Sequence, residues 1–198
     1  MTGEAQGGNA ASLRATAVAL AKVESAAVVV LVEGISDQIA LETAAACRGR
    51  DLGAERVVVV PIGGAHAIGR FLARLAPGVR VAGLCDRLEE ELFRRSFAAR
   101  ADLAGLGFFV CVNDLEEELI RAVGTAEIEA LFGTQGDLRS YRTFRKQLAW
   151  RGREPAAQIY RFIRSSSQRN LRYARLLVEA AARRDALPRP LGALLDAV

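Results

Sequence analysis

The sequence predicts an α/β fold: a parallel four-stranded sheet flanked by helices, with a helical extension on its C-terminal side. Three observations predict it. Four runs are apolar throughout, each is followed by a stretch of helical periodicity, and beyond residue 124 the strand-like runs stop. Strands that are apolar on both faces belong in a parallel sheet covered by helices on each side.

The elements follow in order. Residues 1–9 are Gly-rich and polar and read as a frayed tail, and Ala10 to Ser25 reads as one amphipathic helix. Val28 to Glu33 is the first strand. Ser36 to Arg48 has helical periodicity, with Ser36 as N-cap and Ile39, Ala40 and Ala44 turned inward. Arg56 to Ile62 is the second strand; Gly63-Gly64 breaks it, and Ala65 to Leu75 is helical. After the Pro77-Gly78 turn come a third strand, Val79 to Cys85, and a helix, Arg87 to Arg100. Gly107 to Val112 is the fourth strand and Asp114 to Val123 its helix. Five further helices are expected, at Thr125 to Phe132, Leu138 to Trp150, Pro155 to Ile163, Asn170 to Ala182 and Leu191 to Val198. The expected organisation is a tail and helix over 1–25, an α/β domain over 26–124 and a basic helical extension over 125–198.

Composition narrows the chemistry. Of 198 residues, 51% are hydrophobic, enough for a real core. The aliphatic run Ala26 to Val32 is far too short to span a bilayer, and the start lacks the features of a signal peptide. A cytoplasmic protein with no membrane partner is expected. Cys47, Cys85 and Cys111 are odd in number and widely spaced, so neither a disulfide framework nor a zinc knuckle is indicated. With His66 as the single histidine, any metal would be a hard cation held by carboxylates, magnesium or manganese.

The net charge of +4 is modest, but its distribution is uneven. From Arg139 to Arg175 eleven Lys and Arg stand against one acid, Glu154, while acids gather at Glu89 to Glu91 and Asp114 to Glu118. A basic segment beside an acidic cluster suits a phosphodiester substrate; ordinary solvated helix faces would look the same on charge alone.

In parallel sheets ligands sit at the carboxyl ends of the strands. Four such ends carry Glu33, Gly63-Gly64, Asp86 and Asn113-Asp114. Glu33 and Asp37, four residues apart across a glycine, can face one spot and bind a divalent ion. The plainer alternative is that Asp37 complements the helix N-terminus and Glu33 merely ends a strand. Asp86 ends an apolar strand, where an acid is costly unless it is paired or binds a cation.

Three stretches carry a more specific likeness: Leu31-Val32-Glu33-Gly34-Ile35-Ser36-Asp37, Val60-Pro61-Ile62-Gly63-Gly64-Ala65 and Asp114-Leu115-Glu116-Glu117-Glu118-Leu119. In this order, at strand ends, they resemble the TOPRIM domain of the OLD (overcoming lysogenization defect) family of nucleases. The resemblance implies a TOPRIM-like, Rossmann-like fold and metal-dependent hydrolysis of nucleic acid with two Mg2+ or Mn2+ ions; DNA is favoured as the partner, and the sequence does not choose between DNA and RNA. It implies Glu33 as a metal-proximal acid or base and Asp37 and Asp86 as ligands. Asp114, Glu116 and Glu118 would supply further carboxylates. Such nucleases use an assisting lysine, for which Lys146, the one Lys of the tail, is the candidate. Gly63, Gly64, Arg142 and Arg145 would meet the phosphate backbone.

Two departures stand out. TOPRIM domains carry Asp-x-Asp at the third strand, whereas this chain reads Asp86-Arg87-Leu88. Glu89 and Glu90 are the possible substitutes. OLD proteins also couple TOPRIM to an ABC-type ATPase, and the sequence has no Gly-x-x-x-x-Gly-Lys-Ser/Thr loop. The resemblance therefore implies a stand-alone module or one that uses a separate ATPase. A weakened module that binds nucleic acid or docks to that ATPase, and a nucleotidyl transferase or hydrolase, are the alternatives. His66 reads as a solvent-facing helix start. Tyr141, Trp150, Tyr160 and Tyr173 read as core or as partners of arginines, and Ser165-Ser166-Ser167 as a capping loop.

Overall fold

The computed structural model describes the backbone of residues 3–198 and the side chains from residue 10 onward; Met1 and Thr2 of the expected tail lie outside the described residues. The strands are β1 (Val28–Val32), β2 (Val57–Pro61), β3 (Arg80–Asp86) and β4 (Ala104–Cys111). They form one all-parallel sheet in the order β2-β1-β3-β4. Val28 lies beside Val57 on one side and Arg80 on the other, so the strands run level and their carboxyl ends emerge together. A bulge at Val81/Ala82 against β4 shifts the last pairing by one residue.

The helices are α1 (Gly3–Leu20), α2 (Ile35–Cys47), α3 (Ile68–Leu72), α4 (Glu90–Ala98) and α5 (Leu115–Val123). They continue with α6 (Thr125–Thr134), α7 (Leu138–Phe144), α8 (Pro155–Arg164), α9 (Ser167–Ala182) and α10 (Arg189–Ala197). Among the described residues none is long and apolar enough to cross a membrane.

Several boundaries differ from the sequence expectation, each for a local reason. The expected tail is helical from Gly3, and the first helix stops at Leu20, with a short 3-10 turn at Val23–Ser25. Helix α2 is capped by Gly34 rather than Ser36, because the Asp37 carboxylate accepts the Gly34 N–H at 2.8 Å and draws the start forward. Helix α7 ends at Phe144, not Trp150. Three-residue turns take over, with Gln147 N–H donating to Phe144 O and Trp150 N–H to Gln147 O, and the reversal stacks Trp150 on Phe144 at 5.4 Å.

The alternation along β1 divides the core. Val28, Val30 and Val32 face one helical layer, and Val29 and Leu31 the other. The first layer includes α2, α5, α8, α9 and α10, whose Leu41, Leu119, Ile159, Leu177 and Leu194 join one continuous buried cluster with the sheet. The second holds α3 and α4, where Phe93 and Phe97 pack edge-on to Phe108 of β4. The C-terminal helices thus cover one whole face of the sheet, and this places their side chains at the strand ends.

Candidate metal centre

Each strand end delivers its residue by a local device. Glu33 directly follows β1. Its carbonyl accepts the N–H of Gly63 at 2.9 Å and of Gly64 at 3.2 Å. The two glycines reach it with φ of +75° and +111°, a backbone that side chains rarely adopt. Their N–H groups hold the Glu33 backbone, and both glycines line the cleft at the strand ends. Asp86 closes β3. Beyond it, Glu89 N–H bonds back to Asp86 O at 3.0 Å, and this turn returns Glu89 over the strand end. Asp114 caps α5, accepting the Glu117 N–H at 2.8 Å, and sets Glu116 in the first turn of the helix.

The result is a polar cleft of about 600 Å3 lined by Glu33, Asp37, Gly63, Gly64, Asp86, Asp114 and Glu116, together with Ser12, Tyr160, Arg164 and Asn170. At its edge, carboxylate oxygens of two of these residues, Glu33 and Asp86, lie within 4.8 Å of each other and of Glu89, which does not line the cleft itself. Burial pushes Asp86 up to about 7, helped by the charges of Glu33, Asp114 and Glu89. Burial and then Glu33 push Glu89 up to about 7 as well. Asp37 is raised by burial and by Glu116, against the lowering effect of its bond to Gly34. Glu116 is raised by burial and Asp114, against Arg164.

A cluster of like charges at this spacing holds protons or a cation. Glu89 Oε2 is buried with no hydrogen-bond partner. The donors are all oxygens, as a hard divalent cation such as Mg2+ or Mn2+ requires. The residues present thus fit such an ion, with Glu33, Asp86 and Glu89 to hold it.

The other expected site residues separate. Leu88, where a second aspartate was awaited, is 98% exposed, and it is Glu89 that joins the cluster. Glu90 instead bonds Arg94 on its own helix. Glu118 lies off the cleft, accepting the Val112 N–H at 3.1 Å and Arg121 at 2.9 Å. Lys146, Arg142 and Arg145 line a different groove, with Arg151 and Arg153. His66 is exposed, Cys85 and Cys111 are buried, and Ser166 caps α9.

The cation in the cleft is Arg164 from α8. It donates to Asp114 Oδ2 at 3.0 Å and lies 3.7 Å from Glu116. Tyr160, one turn earlier, donates to the same Asp114 oxygen at 2.5 Å. Asn170 of α9 reaches Glu116 at 3.5 Å. Sequence reasoning missed Arg164 and Asn170, and read Tyr160 only as core or as a partner of arginine, which its stacking with Arg164 matches. The available signal was Tyr160 and Arg164 four residues apart on one helix face.

The family model of the overcoming lysogenization defect protein-like TOPRIM domain matches residues 26–87. That stretch of the chain is similar to an OLD-like TOPRIM domain. The match runs from β1 to just past Asp86, so it takes in Glu33, Asp37 and the two glycines. Among solved structures, the C-terminal region of the Burkholderia pseudomallei OLD protein aligns with a TM-score of 0.54 and 14% identity, over 87% of this chain and 98% of that one. The C-terminal region of the Xanthomonas campestris pv. campestris OLD protein aligns at 0.52 and 18%, over 89% and 94%. These likenesses show that the TOPRIM sheet and its helical extension share one fold with those regions. No curated protein matches the sequence.

Proposed function

We propose that this TOPRIM domain hydrolyses phosphodiester bonds of nucleic acid, DNA in preference to RNA, with Mg2+ or Mn2+. One observation carries the reading: the Glu33, Asp86 and Glu89 cluster at the carboxyl end of a parallel sheet, two of whose members, Glu33 and Asp86, line a cleft that also holds Arg164. A divalent ion in such a cluster activates water and offsets charge on the phosphate. The chain's own residues supply the rest. Glu33, fixed by the two glycines, faces the reacting phosphate as acid or base. Arg164, oriented by Asp114 and stacked over Tyr160 at 5.1 Å, offers its guanidinium to phosphate oxygens, a contact first expected of Gly63, Gly64, Arg142 and Arg145.

Plasmid nicking in Mg2+ or Mn2+ tests it. Glu33→Gln and Asp86→Asn should each abolish nicking, and Glu89→Gln should weaken metal binding by calorimetry. Unchanged nicking in the first two variants would refute the assignment. A second reading, a binding module without turnover, draws on Asp114, whose two oxygens are taken up by Tyr160, Arg164 and the Glu117 N–H. Salt-dependent DNA binding with metal uptake and no cleavage would select it. Docking to a separate ATPase belongs to the same reading.

A further inference from the structure

We propose that a second groove, on the helical extension, grips the sugar-phosphate backbone of nucleic acid without metal, at a point separate from the acidic cleft. The groove, of about 480 Å3, is lined by Arg142, Arg145, Lys146, Arg151, Arg153 and Gln158. It forms where α7 ends early and the chain reverses through Gly152, whose φ is +80°, before α8 begins. That reversal brings arginines from both sides of the turn together.

Three features separate this groove from an ordinary solvated surface. Among the described residues Arg142, Lys146, Arg151 and Arg153 form no ion pair, although arginines along α4, α5 and α9 bond acids nearby. Arg145 is the partnered member, tied to Glu129 at 3.2 Å and stacked on Tyr141. The floor is built: Gln158 is 4% exposed, its Nε2 donates to Trp150 O at 2.8 Å, and its Oε1 is buried without a partner. Trp150 is in turn stacked on Phe144, so the turn presenting Arg151 and Arg153 is fixed on both sides.

Unneutralised cations held this close repel one another, and a polyanion relieves that repulsion. Guanidinium forks match phosphate oxygens two at a time. Choosing nucleic acid over an acidic protein rests on the function proposed above.

The test is fluorescence anisotropy of the full chain with a labelled DNA duplex and its single strand, in EDTA so that no cleavage intervenes. The triple variant Arg142→Gln/Arg151→Gln/Arg153→Gln should bind at least about ten-fold more weakly, and its slope of log affinity against log salt should fall by about 2 to 3. A control triple of the same charge, Arg14→Gln/Arg74→Gln/Arg80→Gln, carries exposed arginines outside the groove and should stay within about two-fold of the unaltered chain. Replacing the groove arginines with lysine should restore most of the salt slope. Equal binding by the groove triple and the unaltered chain overturns the proposal. So does equal loss in both triples, or binding of polyglutamate with none of either DNA. Because the readout needs no hydrolysis, lost DNA binding in a chain that never cuts upholds the groove while the nuclease reading fails. Intact DNA binding by the groove triple beside normal nicking does the reverse.

Discussion

At the scale of residues, the cleft is a set of acids kept close by backbone devices, and its protonation follows. Burial and the neighbouring acids push Asp86 and Glu89 up to about 7 in the folded chain, against roughly 4 for free carboxyls. A raised carboxyl pKa means that the folded state holds its proton longer than the unfolded one. The stability linked to those protons is fully present below roughly pH 4 and is lost as pH rises through about 7. In EDTA, melting should therefore fall between about pH 5 and about pH 8, and millimolar Mg2+ should restore it most at the higher pH. Mg2+ affinity should itself rise across the same window, since the ion displaces protons. A melting temperature in EDTA that climbs steadily to about pH 8 would show that these carboxyls are not held together. The acids at strand ends were legible in the sequence because a charge closing an apolar run is conspicuous. Glu89 was legible only as a possibility, since its place depends on the turn that follows Asp86. Arg164 was not, because α8 meets Asp114 through tertiary packing across 50 positions.

At the scale of elements, the four strands were readable because each is a short aliphatic run bounded by glycine or charge. The exception is the start of β4. Ala104-Gly105-Leu106 has weak strand propensity, and pairing with Arg80 and Val81 makes it extended. The same pair of strands contains a tight packing point. A side chain at Gly83 would meet the Phe108 ring at 2.6 Å and the Leu31 carbonyl at 3.2 Å. Phe108 is itself wedged between Phe93 and Phe97. Gly83→Ala should therefore cost about 1–3 kcal/mol by overpacking, read as a lower urea midpoint with an unchanged slope. An unaltered midpoint would mean that Phe108 has room to turn aside. The premature end of α7 was hidden for a comparable reason: nothing local in Arg145 to Trp150 forbids helix, and the stacking of Trp150 on Phe144 decides it.

At the scale of the whole molecule, the basic segment of the sequence scatters: Arg164 enters the acidic cleft, Arg142, Arg151 and Arg153 line the groove, and Arg169 and Arg172 pair with Asp137. Charge counting along the chain sees one run, and the paths of α8 and α9 separate its members. The N-terminal helix has a comparable reach in the other direction. The Thr16 hydroxyl donates to Pro61 O at 2.7 Å, and Ser12, one turn before, lines the cleft. Pro61 ends β2, and two residues on, Gly63 and Gly64 hold the Glu33 carbonyl. Thr16→Val should thus leave every candidate ligand in place yet weaken Mg2+ binding by up to about ten-fold, as calorimetry would show; an unchanged affinity would mean that β2 stays put without the hydroxyl. The steadiness of Glu33 is in this sense borrowed from Thr16 of α1. Whatever steadies or disturbs that helix adjusts the grip on the ion, without coming near it.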